Sequence, residues 1–282
     1  MRLPSLFARR GFLLGAALVG AVVLAAACAH WLAPFDPVRN NYRYRLGEPN
    51  GIFLLGTDRY GRDVFSRILF GARVSLGIGF SVAVVSGLAG GLAGLAAGWW
   101  RRADPWIMRV MDGLMAFPGV LLAIALAASL GPGLGNVIIA LVITGWAGYA
   151  RLARAQVLKV KEMDYVAAAR SLGASDARIV WRHVLPNTIQ PVLIQATIGM
   201  ASAILAESTL SFLGLGVLAP TPSWGAMLND ARNHLFDAPH MIIFPALGIM
   251  AAVLAFNLLG DALRDWLDPR TRSFLITQDL AR

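Results

Sequence analysis

The stretch Val74-Ser-Leu-Gly-Ile-Gly-Phe-Ser-Val-Ala-Val-Val-Ser-Gly-Leu-Ala-Gly-Gly-Leu-Ala-Gly-Leu-Ala-Ala-Gly-Trp-Trp100 runs for 27 residues without a charged side chain. A helix needs roughly 20 largely apolar residues to cross the hydrocarbon layer, so this run is long enough to span. Glycine recurs in it at Gly77, Gly79, Gly87, Gly90, Gly91, Gly94 and Gly98. The pairs Gly87/Gly91, Gly90/Gly94 and Gly94/Gly98 keep small-xxx-small spacing, which lets a neighbouring backbone approach closely. Such a ridge serves either ordinary helix packing or a sliding contact in a bundle that moves.

Working outward, five more stretches have spanning character: Gly11–Leu32, Gly113–Leu130, Leu134–Ala150, Thr188–Leu215 and Met241–Leu263. The third and fourth spans are separated only by Gly131-Pro132-Gly133, which predicts a tight turn and an antiparallel pair. The expected fold is therefore all-α, a polytopic membrane protein with about six transmembrane helices. Composition agrees: 57% of the 282 residues are hydrophobic and 15% charged, against about 25% charged in a soluble domain. The net charge of +9 is spread between apolar runs and does not form one polar face, so it fits membrane sidedness and not a nucleic-acid partner. With the N-terminus inside, the cytoplasmic segments carry 17 Lys and Arg and the external ones 8. This predicts N-in and C-in. The external segment 33–73 runs against the bias, with seven arginines partly offset by Asp36, Glu48, Asp58 and Asp63.

The chain divides on this reading into a first helix plus external segment, 1–73, and a core of five helices, 74–282. Leu24-Ala-Ala-Ala-Cys28, after Arg2, Arg9 and Arg10, loosely resembles a cleaved leader. The later spans instead call for an uncleaved first helix to set their orientation. The single Cys28 excludes an intrachain disulfide.

Catalytic signatures are missing. The only lysines, Lys159 and Lys161, do not follow a glycine-rich phosphate loop. The four histidines have no His-Glu-x-x-His spacing, and there is no Gly-x-Ser-x-Gly elbow. No metal site and no catalytic residue is expected. The spans hold few ionisable groups of the kind an ion-coupled secondary transporter uses, although that class is the alternative reading. Glu207 is the clearest intramembrane carboxylate, with Ser208 beside it and Ser211 one turn on. It would line a pathway or sit at a subunit interface. In the segment carrying Gly56, Thr57, Asp58, Gly61, Arg62 and Asp63, the charged residues Asp58, Arg59, Arg62 and Asp63 would either pair locally as a folded cap or meet cargo. Trp224 is expected as an anchor at the membrane interface.

The loop 151–187 is the place where energy could enter. Met163–Leu172 is alanine-rich and predicts a helix. Gly173 can end it in the left-handed conformation. Ser175 suits the N-cap of a second helix reaching Val184, which Pro186 would break. Tyr165, Ala168, Ala169 and Leu172 share one helical face. Periodicity alone allows a docking element or an amphipathic hairpin resting on headgroups.

The same residues resemble the EAA loop of ABC importer permeases, in which Glu-Ala-Ala is followed after three residues by Gly and after nine more by Ile-x-Leu-Pro. Ala168, Ala169, Gly173, Leu185 and Pro186 stand on matching positions. Ala167 replaces the Glu and His183 the Ile. Leu55-Gly-Thr-Asp-Arg-Tyr-Gly-Arg-Asp63, Glu207-Ser-Thr-Leu-Ser-Phe-Leu-Gly-Leu-Gly216 and Pro222-Ser-Trp-Gly225 resemble segments of the dipeptide, oligopeptide and nickel branch of that family, the DppC/OppC-like subunits.

The resemblance implies a type I ABC importer permease in the bacterial inner membrane, carrying di- or oligopeptides, with nickel, glutathione or another small solute as alternatives. It implies four kinds of partner: a homologous second permease, two cytoplasmic ATPases that hold ATP and Mg, an extracytoplasmic substrate-binding protein, and the lipid bilayer. It makes the loop the ATPase-coupling element and requires no cofactor in this chain.

Overall fold

The computed structural model describes residues 6–267, with side chains from Gly11 to Trp266. Arg2, Arg270, Arg272 and Arg282 of the charge count lie outside the described residues. The elements are α1 (Leu6–Ala27), α2 (Ala29–Leu32), α3 (Val64–Trp99), α4 (Asp104–Met115), α5 (Gly119–Leu130), α6 (Leu134–Lys161), α7 (Asp164–Ser171), α8 (Asp176–Ile179), α9 (Leu185–Phe212), α10 (Trp224–Ala231) and α11 (His240–Leu267). Among the described residues only one isolated β-bridge occurs, Thr57 to Asp63.

The glycine-rich helix α3 stands at the centre and meets α1, α6, α9 and α11. Its most extensive contact is with α6, and the glycines are the reason. A Cβ added at Gly90, Gly94 or Gly98 would lie 2.6 Å from Tyr149 Cβ, Ala153 Cβ or Val157 Cβ respectively. The ridge is therefore a packing surface whose register is set by backbone contact. The same device recurs at Gly15, where an added Cβ would meet the Leu259 amide at 2.8 Å and where α1 crosses α11.

Four helices are long and apolar enough to cross a membrane: Val64–Trp99, Leu134–Lys161, Asp176–Phe212 and the helix starting at His240. A fifth is counted if α4 and α5, bent by 87° at their junction, are taken together as one broken span. The apolar part of α1, Gly11–Ala27, is shorter than a full span among the described residues. Set against the expectation of about six spans, one sequence stretch changes character. Gly113–Leu130 is not one helix, because Pro118 takes an extended conformation (φ −56°, ψ 120°). Proline lacks the donor for the next turn, and its ring drives Phe117 out of the helical region. The domain boundary at 73/74 falls inside α3, which starts ten residues earlier, at Val64. Asp63 caps that start by accepting from the Ser66 amide.

The loop expected over 151–187 is also shorter. Helix α6 continues unbroken to Lys161, so residues 151–161 form a helical extension. Arg154 Nε and Nη2 donate to Asp104 at 2.6 and 2.7 Å, and Arg151 Nη2 donates to Asp112 at 2.6 Å. These pairs, with Met111 buried against Ala147 and Ala150, strap α4 along α6.

Gly94→Leu is expected to force α3 and α6 apart and cost about 1–3 kcal/mol by overpacking. Gly77, with nothing within 4 Å of an added Cβ, should accept Ala with no loss. Thermal unfolding of the two purified variants in detergent checks both.

Candidate functional site: the cytoplasmic hairpin and the buried polar clusters

After Lys161 the chain folds into a helical hairpin. Helix α7 ends at Gly173, whose φ of +81° is left-handed, and Ser175 caps the next helix by accepting from the Arg178 amide. Both match the sequence expectation. The break at Pro186 does not occur. Residues Val180–Val184 widen into a π-helical turn that leads straight into α9, so Asp176–Phe212 is one continuous helix of 37 residues. Pro186 follows directly on this π-helical turn, in the first turn of α9, and the locally altered hydrogen-bond pattern accommodates its missing donor. The Asn187 side chain donates to the His183 carbonyl at 2.7 Å, and the Thr188 hydroxyl to that of Val184 at 2.9 Å.

The hairpin is fastened from beneath. Val166, Ile179, Val180 and Val184 bury against Trp99, Val157 and Val160, the cytoplasmic ends of α3 and α6. Lys161 Nζ donates to the Trp99 carbonyl at 3.1 Å, and Lys161 and Arg170 lie over the Trp99 ring. The outer surface carries Tyr165, Ala168 and Leu172, with Leu172 88% exposed at the tip. Ala169, expected on that face, is half-buried and packs inward on the same cluster. Gly173 has nothing within 4 Å of an added Cβ, so the backbone angle alone selects glycine there. Leu185 is half-buried and Pro186 exposed. Trp181, 71% exposed, belongs to this surface and was missed. Its signal was a large apolar residue amid Arg178, Arg182 and His183.

Glu207 does not line an open path. It is fully buried, and its Oε1 accepts from Ser211 at 2.7 Å and its Oε2 from Ser75 at 3.1 Å and from Ser208 at 3.5 Å. The carboxylate sits inside a cage of hydroxyls that joins α9 to α3, which answers the cost of burying it. The Trp224 amide donates to the same Ser75 hydroxyl at 3.3 Å. Trp224 itself is only 2% exposed, with its indole Nε1 donating to the Ile68 carbonyl at 3.1 Å. It is a plug seated between Gly71 and Gly248 and not an interfacial anchor, because those glycines leave a slot the width of an indole.

The external segment forms a folded cap. Asp58 Oδ1 accepts from the Tyr60 and Arg62 amides, and Asp58 Oδ2 pairs with Arg62 Nε at 2.6 Å and Arg67 Nε at 3.5 Å. Arg59 and Arg62 reach across to Asp230 on α10 at 2.7 and 3.1 Å. Asp230 was not singled out from sequence, since its partners lie some 170 residues earlier. Thr57 is fully buried: its hydroxyl donates to the Tyr44 carbonyl and accepts from the Gly47 amide, and its carbonyl meets His240 Nε2 at 3.1 Å. Gly56 and Gly61 hold positive φ, and a side chain at Gly61 would strike Asn41. Asp63, besides capping α3, accepts from the Ser66 hydroxyl at 2.6 Å. Thr57, Asp58, Arg62 and Asp63 are thus engaged in the cap, and the buried Asp63 Oδ1 is left without a hydrogen-bond partner. Among the described residues no cluster of three His, Cys, Asp or Glu is placed to hold a metal ion.

Residues 87–273 match the family model of the binding-protein-dependent transport system inner membrane component. A Brucella suis protein named provisionally as a peptide transport system permease is 49% identical over 267 residues, 95% of this chain and 90% of the relative. The glutathione transport system permease protein GsiD of Pectobacterium atrosepticum is 46% identical, over 89% of this chain and 85% of its own. The di/tripeptide transport system permease protein DppC of Pseudomonas aeruginosa is 45% identical, over 94% and 89%.

Removing Arg62, 3% exposed between two carboxylates, leaves Asp58 and Asp230 facing each other with too little counter-charge. Arg62→Ala is expected to cost about 3–5 kcal/mol, the penalty for breaking a buried pair. Arg59→Ala, at the half-exposed edge, should cost under about 1 kcal/mol. Limited proteolysis of the external segment in the two variants, with unfolding midpoints, reads the difference.

Proposed function

The chain belongs to the family of binding-protein-dependent transport system inner membrane components, multi-pass permease subunits in the bacterial inner membrane, and on that footing we propose that it carries di- or oligopeptides through an ATP-driven importer whose ATPase docks on the α7–α8 hairpin. The observation that carries this reading is the two-sided hairpin. Its inner face is buried on the ends of α3 and α6, while Tyr165, Leu172 and Trp181 stand uncovered on the outer face. A hairpin held so firmly below and so bare above suits a rigid lever against a protein cleft. The continuous helix from Asp176 to Phe212 would carry the push into the membrane.

The chain is a transport subunit. In this reading two cytoplasmic ATPase subunits hold ATP and Mg, a homologous second permease completes the pore, and a substrate-binding protein delivers cargo from outside. None of these partners requires a cofactor or nucleic acid bound to this chain. Peptide cargo draws support from the relatives' names, and glutathione, itself a tripeptide, falls in the same chemical class.

Leu172→Asp tests the docking. At 88% exposure the change should alter stability by no more than about 0.5 kcal/mol. A carboxylate in an apolar cleft should nevertheless release the ATPase. The expected outcome is normal membrane abundance with loss of ATPase co-purification and of dipeptide uptake. Undiminished uptake and co-purification in Leu172→Asp and Trp181→Asp together would sink the docking assignment.

A further inference from the structure

Helix α5 has 12 residues, which at 1.5 Å per residue reach only about 18 Å. Its outer end is tied to the outer end of α9 by the Gly133 amide donating to the Gly216 carbonyl at 2.9 Å. Its other end, at Gly119, therefore stops well inside a hydrocarbon layer about 30 Å thick. Between it and α4 the backbone of 116–118 is not helical. Backbone of that kind is tolerated at membrane depth only where protein buries it or water reaches it. Here this chain does not bury it: Phe117 and Val120 are exposed, and Gly119 has nothing within 4 Å of an added Cβ.

Beside this break lies a cavity of about 240 Å³, lined by Gly119, Val120 and Ala123 of α5, Leu141 and Thr144 of α6, and Ser202, Ala206, Thr209 and Leu210 of α9. It has room for several waters. Its three hydroxyls each donate to a carbonyl of their own helix: Thr144 to Ala140 at 3.1 Å, Ser202 to Ile198 at 3.4 Å and Thr209 to Leu205 at 2.9 Å. Their lone pairs remain to accept from a guest. No charged side chain lines the cavity.

We propose that this cavity, opened by the break at Phe117-Pro118, is this chain's water-filled share of the cargo path, with Thr144, Ser202 and Thr209 offering weak acceptors to passing peptide N–H groups. The proposal rests on the transport reading above, and replaces Glu207 as the pathway candidate. A wall with acceptors and no charge suits transit, since a guest must be held strongly enough to enter and weakly enough to leave.

Single cysteines at Ser202, Ala206 and Thr209, in the Cys28→Ala background, test it in vesicles holding the whole transporter. The probe is a membrane-impermeant cationic thiol reagent, which needs water to form the reactive thiolate. Modification at least about tenfold faster than at Met250→Cys, an exposed apolar position on α11, is the expected result. Rates equal to Met250→Cys at all three sites would mean that lipid or a partner helix seals the face, and would overturn the proposal. A second arm fills the space: Ala206→Phe should abolish dipeptide uptake while abundance and ATPase co-purification stay normal. Normal uptake in Ala206→Phe would equally overturn the proposal. The labelling rates are read first without cargo and then with dipeptide present. Fast labelling that dipeptide does not slow would remove the peptide reading and leave the path standing.

Discussion

The backbone contact between Gly90, Gly94 and Gly98 of α3 and the 149–157 stretch of α6 is the constraint on which the rest depends. In a bilayer there is no hydrophobic drive between helices, so close packing of small residues must hold them. Here three glycines on successive turns bring the two axes together along the inner half of α3. Once α6 is fixed there, its extension to Lys161 projects from the bundle at a set position. Trp99, Val157 and Val160 then form the seat on which the hairpin rests.

The two ends of the bundle are secured by different physics. On the cytoplasmic side the hairpin is held mainly by aliphatic burial, and the charged pairs that strap α4 to α6 are half-exposed. Such pairs tolerate adjustment. On the outer side Asp58, Arg62 and Arg67 are buried, and Asp230 joins them from α10. Breaking any member leaves an uncompensated charge, so the outer cap is stiff and specific. The Glu207 cage, linked through Ser75 to the Trp224 amide, extends that stiffness into the membrane. The arrangement fits a machine driven from its inner end and braced at its outer end. The broken α4–α5 pair lies between the two, where the bundle has its open space.

Much of this was legible from the chain itself. Apolar run lengths placed α3, α6, α9 and α11, and Gly173 and Ser175 placed the hairpin turn. The misreadings share one cause. Pro186 and Pro118 look alike as helix breakers. Yet the π-helical turn at Val180–Val184 absorbs the first, while nothing offsets the second. Arg151 and Arg154 looked like loop charges because their partners, Asp112 and Asp104, sit about 40 and 50 residues away.

By itself the sequence determined what is local: which segments are apolar enough to enter a membrane, where the hairpin turns, and which family pattern the chain follows. Each of these depends on composition or on neighbours within a helical turn or two. Only the tertiary structure decided which polar groups are spent on the fold and which remain open. Glu207, Arg62 and Trp224 all look available in one dimension, and each meets a partner from a distant segment. Thr144, Ser202 and Thr209 look unremarkable in sequence, yet they line the cavity. Burial is a property of several segments meeting, and a carboxylate or indole carries no mark in the chain of whether its partner will be water or a helix more than a hundred residues away.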